Sequence, residues 1–281
     1  MTAADSAERR PAEEGGPGST DGLRTDQPHA ARMYDYLLGG TDYFASDRAA
    51  ADQAVAAFPT LRTAARENRR FLGRAVRHLV EQVGIRQFLD IGSGLPTAEN
   101  VHQVARRYAP DVRVVYVDSD PLVLAHGQAL LAEDHRTTVI RADAREPETV
   151  LGHSATRRLL DFSQPIGVLA VALLHFIGDK DDPAGIVRTL RGAVVPGSHF
   201  VLSHATADVA PSNALGVQDA YRARGVPLSL RGKQEFTEFF TGLELIEPGI
   251  QMVSDWRSDL PLEHRPSHAD VSWYGGLGRL P

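Results

Sequence analysis

Gln87-Phe88-Leu89-Asp90-Ile91 reads as an apolar strand running into the turn Gly92-Ser93-Gly94. Val114-Val115-Tyr116-Val117 reads as a second apolar strand, ending on Asp118. Glycines let a ligand approach the backbone, and a carboxylate at the next strand's tip can accept hydrogen bonds from ribose hydroxyls. Gly92 and Asp118 are 26 residues apart, near the roughly 20 of a dinucleotide-binding unit. No third glycine follows, because the loop continues Leu95-Pro96-Thr97. Pro96 removes an N–H where a pyrophosphate would want donors. The pattern favours an adenosine-containing ligand without phosphates, and S-adenosylmethionine fits. Read singly, the glycine pair is also a tight turn, and Asp118-Ser119-Asp120-Pro121 is also a helix N-cap sequence.

Further candidates fall at other strand ends. Asp143-Ala144 suits an edge-on adenine contact, the carboxylate accepting the amino group and the backbone N–H donating to a ring nitrogen; a loop-capping aspartate is the other reading. His175 and His204 follow the fourth and fifth strands, and histidine is the natural base near neutral pH. His175 lies in the apolar run Leu173-Leu174-His175-Phe176-Ile177, so it reads equally as a satisfied interior residue, and His204 also reads as a loop contact. Upstream, Arg32-Met33-Tyr34-Asp35-Tyr36 and Asp42 put two tyrosines, an arginine and acids on about two turns. Positions 32, 35 and 36 share one face and 34, 37 and 38 another. This segment reads as a lid over the ligand or as an ordinary amphipathic helix.

The elements that must position these groups alternate. After a polar tail over residues 1–27, too poor in large apolar residues to order itself, the pattern predicts helices over Ala30–Leu38, from an N-cap at Ser46 to Pro59, and from Thr60 to Val83. These form an amino-terminal helical cap over residues 28–84. Strands follow at Gln87–Ile91, Val112–Val117, Thr137–Ile140, Ile166–Ala172 and Phe200–Ser203, with helices over Thr97–Tyr108, Pro121–Ala132 and Asp182–Arg191 between them. Helices near Ser212–Ala223 and Lys233–Phe240, a segment Leu243–Ile246 and a returning strand over Val271–Leu277 complete a core over residues 85–281. Such alternation implies an α/β fold with a mostly parallel, Rossmann-like sheet and right-handed crossovers.

Composition narrows the class. With 42% hydrophobic and 23% charged residues, the chain is ordinary for a globular protein. The net charge of −6 argues against nucleic acid as the main partner, and Arg66, Arg69, Arg70, Arg74 and Arg77 read as a solvated helix face. The absence of cysteine excludes disulfides, thiolate nucleophiles and cysteine zinc sites. No histidine has close partners at metal-ligand spacing, and no apolar run is long enough to span a membrane. A cytoplasmic protein is expected, with no membrane partner.

Several stretches carry a resemblance. His29-Ala30-Ala31-Arg32-Met33-Tyr34-Asp35-Tyr36-Leu37-Leu38-Gly39-Gly40, Asn68-Arg69-Arg70-Phe71-Leu72, Phe88 through Thr97, Val115-Tyr116-Val117-Asp118, Leu173-Leu174-His175-Phe176, Phe239 through Leu243, Trp256-Arg257 and Tyr274 through Arg279 resemble a family of S-adenosylmethionine-dependent methyltransferases. The resemblance covers residues 28–279. It implies a class I methyltransferase fold, seven strands with the last antiparallel, and S-adenosylmethionine at Gly92, Gly94, Asp118 and Asp143. The family supplies no established acceptor, so no catalytic residue is carried over.

The resulting expectation is methyl transfer to a small-molecule acceptor. Met33, Tyr34, Asp90, Ser93, Ser119, Ala144, His175 and Phe176 complete the cofactor contacts. His175 is the base if one is needed, and Arg32, Tyr36, Asp42 and His204 contact the substrate. Rival readings are a non-catalytic sensor of S-adenosylmethionine or its demethylated product, and a nicotinamide-dependent dehydrogenase. Pro96 and the missing glycine speak against the dehydrogenase.

Overall fold

The computed structural model of the protein describes residues 22–97, 99–130 and 134–281. The expected tail lies outside them as far as residue 21, as do the last residues of the helix expected to reach Ala132. The strands are β1 (Gln87–Ile91), β2 (Arg113–Asp118), β3 (Thr137–Arg141), β4 (Gly167–Ala170), β5 (His199–Ala205), β6 (Glu244–Leu245), β7 (Gln251–Met252) and β8 (Trp273–Arg279). Their order is β3-β2-β1-β4-β5-β8-β6. The first five run parallel, and β8 lies antiparallel to both β5 and β6. The chain steps outward from β1 to β3, then returns to place β4 beside β1. That reversal is where open parallel sheets bind ligands. The two-residue β7, which pairs with β8, makes eight strands rather than the expected seven.

Alternation along each strand sends side chains to two cores. Leu89, Ile91, Val115, Val117, Phe200 and Leu202 enter one; Phe88, Val114, Leu169 and Val201 enter the other. The helices are α1 (Ala30–Leu38), α2 (Ala45–Ala57), α3 (Leu61–His78), α4 (Val101–Arg106), α5 (Pro121–Leu130), α6 (Pro147–Gly152), α7 (Ser154–Leu159), α8 (Pro183–Gly192), α9 (Pro211–Arg222), α10 (Lys233–Glu238) and α11 (His268–Val271). Helix α3 lays Phe71, Leu72, Ala75 and Val76 on the second core. A Cβ on Gly275 of β8 would stand 2.8 Å from the Phe71 ring, so only glycine admits the helix so close. A third core joins α1 and α2 to α9 through Met33, Leu37, Ala50, Ala54, Val217 and Tyr221. The amino-terminal helices are thereby a roof resting on both the sheet and α9.

Several boundaries differ from the pattern-based reading, for local reasons. Helix α2 is capped at Phe44, not Ser46, because the buried Asp47 carboxylate takes the Phe44 N–H at 2.8 Å. Ser46 instead donates to the Thr25 carbonyl. Helix α4 starts at Val101 rather than Thr97, because Asn100 accepts the Thr97 N–H and holds the preceding loop open. Strand β4 ends at Ala170, since Ala172 adopts φ 58° and breaks the extended run. Helices α6 and α7 are additions, started by Pro147 and by the His153 side chain accepting the Ala155 N–H. The five arginines expected on one solvated face of α3 diverge: Arg66 is exposed, Arg74 donates inward to the Val253 and Trp256 carbonyls, Arg70 and Arg77 pair with Glu67 and Asp259, and Arg69 turns toward the sheet's carboxyl edge.

Candidate functional site

A cavity of about 360 Å³ opens at the reversal point, within the roughly 300–1,000 Å³ of small-molecule sites. Its floor is the strand ends, carrying Asp90, Gly92-Ser93-Gly94, Asp118-Ser119, Asp143-Ala144 and Val171-Ala172-Leu173. Its roof is α1, with Tyr34, and the loop Gly225-Val226-Pro227 after α9. Gly92 has φ 71°, and a Cβ there would stand 2.6 Å from Leu173, so the turn both needs left-handed backbone and presses against β4's exit.

The turn's amides are already committed. Gly92 and Ser93 both donate to the Val117 carbonyl at 2.8 and 3.1 Å, and Gly94 donates to Asp118 Oδ2 at 2.9 Å. Thr97 donates to Asn100, and Pro96 has no N–H. A phosphate finds no cradle of free N–H groups here, which disfavours a pyrophosphate-bearing dinucleotide.

Three carboxylates line the floor in different states. Asp118 accepts the N–H groups of Gly94 and Asp120; burial raises its pKa, and those hydrogen bonds and His29 oppose the rise. Each of its oxygens keeps a second lone pair. Asp143, gripped by Arg145 at 3.0 Å, is held below the usual carboxylate range chiefly by that guanidinium. Asp90 is 5% exposed, and its carboxylate makes no hydrogen bond among the described residues. Burial pushes its pKa up to about 7, against the pull of Arg69. Arg69, reaching in from α3, donates to Thr97 Oγ1 at 2.8 Å. The cavity is therefore acidic along its length, with one guanidinium facing Asp90's end.

A smaller chamber of about 40 Å³ adjoins it, and Ala30, Tyr34 and Phe176 line both. Hydrogen bonds fix the Tyr34 side of that wall. Ala172 N–H donates to Ser203 Oγ at 2.9 Å, and Ser203 donates to Asn68 Oδ1 at 2.6 Å. Asn68 Nδ2 then donates to Tyr34 Oη at 3.0 Å, and Tyr34 donates to the Ala65 carbonyl at 3.1 Å. Ala172, strained at positive φ, sits at the start of this relay.

Of the residues expected from sequence, Tyr34, Asp90, Gly92, Ser93, Gly94, Asp118, Ser119, Asp143, Ala144 and Phe176 line the large cavity together. Six others are placed elsewhere. Met33 is fully buried in the roof's own core. Arg32, 3% exposed, pairs with Asp120 at 2.9 Å and Asp47 at 3.3 Å and donates to the Arg24 and Gln27 carbonyls, so it clips the roof to the sheet. Tyr36 bonds Asp52 at 2.6 Å beneath the Arg62 guanidinium on the outer face of α1. Asp42 faces His126 at 3.4 Å. His204 is fully buried, with Nδ1 on the Ala205 carbonyl and Nε2 on Arg231, and burial lowers its pKa to about 3. Both ring nitrogens are spent, so it offers a substrate nothing. His175 lines the small chamber rather than the cavity. Its Nδ1 accepts the Ala205 N–H at 3.3 Å, which puts the proton of the neutral ring on Nε2, and burial holds its pKa well below the ordinary value. In that state the ring presents the Nε2–H as a hydrogen-bond donor.

Arg69, Asn68, Arg145 and the Gly225–Pro227 loop were missed as site residues. For Asn68 and Arg69 a signal existed in the Asn68-Arg69-Arg70-Phe71-Leu72 stretch. For the loop none did, because only the packing of α9 on α2 brings it over the sheet.

The sequence profile of the S-adenosyl methyltransferase family matches residues 18–281. A crystal structure of a DUF574 family protein from Streptomyces avermitilis is 42% identical and superposes with a TM-score of 0.89, covering 92% of this chain and 99% of that one. A second, described as a candidate methyltransferase from Thermobifida fusca, is 41% identical with a TM-score of 0.88, covering 92% and 97%. No curated protein sequence matches.

Proposed function

The chain belongs to the S-adenosyl methyltransferase family, with a class I methyltransferase fold and S-adenosylmethionine as methyl donor, and from that premise we propose how its cavity works. Adenosine lies at the Asp118–Asp143 end and the methionine portion at the Asp90–Arg69 end. Bound there, S-adenosylmethionine supplies a methyl carbon activated by a positively charged sulfur. Asp118 accepts the ribose hydroxyls on its remaining lone pairs. Asp143 and the Ala144 N–H take the adenine edge. Arg69 meets the methionine carboxylate, and Asp90, lacking any other partner, meets the ammonium. Tyr34 and Phe176 keep water from the acceptor side, and positioning of this kind can supply roughly 7–11 kcal/mol in favourable cases.

The acceptor is a small molecule, because what remains of a 360 Å³ cavity under α1 and the 225–227 loop suits nothing larger. This reading assigns no general base among the described residues, so the acceptor reaches the site already nucleophilic. Among the described residues no helix is long and apolar enough to cross a membrane. The cysteine-free composition fits our placing the enzyme in the cytoplasm.

The observation that carries this reading is the spent set of turn amides beside a buried carboxylate with lone pairs to spare. Calorimetry tests it. S-adenosylmethionine and S-adenosylhomocysteine should bind with micromolar dissociation constants and NAD should not. Micromolar NAD binding without the sulfonium compound overturns it.

A further inference from the structure

The small chamber differs in kind from the cavity it adjoins. Among the described residues no Asp, Glu, Lys or Arg lines it. Rings form part of its wall, beside alanine, leucine and valine side chains: Tyr34 stacks on Trp273 at 6.3 Å, His175 lies 5.2 Å from Trp273 and 4.4 Å from Phe176, and Phe176 stacks on Tyr221 at 6.1 Å. Its histidine is kept neutral by burial. An ion entering such a place loses its hydration with no opposite charge to meet.

Two polar groups are left over among the described residues, the His175 Nε2–H and the Tyr221 hydroxyl. Tyr221 is 5% exposed, lines the chamber, and its hydroxyl has no hydrogen-bond partner among the described residues. The Tyr34 hydroxyl, by contrast, is engaged on both sides. The hydroxyl is not sealed in by packed side chains, so its partner is whatever occupies the chamber.

Building on the cofactor reading above, we propose that this chamber is the end of the acceptor subsite, and that the acceptor is an uncharged aromatic molecule whose short polar substituent hydrogen-bonds Tyr221. Size sets how it lies. An enclosed ring needs a cavity on the order of 150 Å³, and the chamber has about 40 Å³. The ring therefore rests in the large cavity against the shared Tyr34–Phe176 wall, and only its substituent passes into the chamber. The reacting atom is on the opposite side of the ring, toward the cofactor.

The test uses the full chain, first titrated with S-adenosylhomocysteine and then saturated with it. Ligand-observed NMR compares 4-hydroxybenzyl alcohol with 4-hydroxybenzoate and tyramine, which carry a negative and a positive charge at the same place, and with p-cresol, which has no polar group there. The alcohol should bind about tenfold or more tighter than either charged probe. In Tyr221→Phe its advantage over p-cresol should vanish, an expected loss of about tenfold, with S-adenosylhomocysteine affinity and melting temperature not reduced. Preference for a charged probe, no binding of any probe at millimolar concentration, or an unchanged advantage in Tyr221→Phe overturns the proposal. A drop in that variant's melting temperature also overturns it, by showing the hydroxyl to be structural. Failure to bind S-adenosylhomocysteine instead overturns the cofactor reading, so the two failures are distinguishable.

Discussion

The large cavity gets its carboxylates from strand ends and the turns after them, whereas the small chamber gets its rings from α1, α9, β8 and the turn after β4, elements far apart in the chain. In the first, the register of five parallel strands delivers Asp90, Asp118 and Asp143 to one edge, and backbone N–H groups hold the turn. In the second, nothing aligns the rings except the packing of the roof on the sheet. A site of the first kind tolerates change in its surroundings, and one of the second kind changes with every neighbour.

Four measurements would break or sharpen the contrast. The largest effect is expected at Asp90. Its folded pKa of about 7 lies above the ordinary 3.8, so the folded state holds the proton more tightly than the unfolded state. Stability therefore falls as pH rises from about 4 to 7, and the full cost is present above 7. Asp90→Asn should raise stability above pH 7 by up to about 4 kcal/mol. That gain should shrink to nothing below pH 4, as read by denaturant titration across pH. The same variant should weaken S-adenosylmethionine binding and remove its improvement with rising pH through 7; a flat wild-type profile would separate Asp90 from the ligand.

Next is Asp118→Asn, which removes charge but keeps shape. Loss of charged hydrogen bonds worth about 1.5–3 kcal/mol should weaken S-adenosylhomocysteine roughly 10- to 100-fold by calorimetry. Binding of the neutral aromatic probe should move far less, and equal losses would mean that the two regions are one site. Phe176→Ala opens the shared wall. It should cost about 1–3 kcal/mol of stability from lost burial of a partly exposed ring, with cofactor affinity changed less than about threefold and probe selectivity lost. Smallest is Tyr221→Phe, whose melting curve should match the wild type or rise slightly, since the removed hydroxyl bonds nothing in the protein.

How far each region was legible in the sequence follows from the same contrast. Gly92, Gly94, Asp118 and Asp143 sit at fixed places relative to apolar strands, so period-two patterning locates them and the reversal of strand order gathers them. The roof was less legible. Arg32 and Tyr36 on α1, with Asp42 just past its end, are polar residues crowded into one segment, and density resembles function. The structure spends them on Asp120 and Asp47, on Asp52, and on His126, contacts that depend on partners 15 to 88 residues away. His175 and His204 were found at strand ends, but a strand end says nothing about which ring nitrogen is free. The chamber left no local mark at all, because Tyr34, Tyr221 and Trp273 meet only after the roof is docked.

The Asn68 amide has a consequence for that docking. Its oxygen accepts a hydrogen bond from Ser203 and its nitrogen donates one to Tyr34, so turning it end for end would leave the Ser203 hydroxyl proton without its acceptor. The chain of bonds is thus polar in one sense only, starting at an amide of β4's exit and finishing at a carbonyl of α3. A replacement at Ser203, 169 positions along from Tyr34, would swing a partition it never touches.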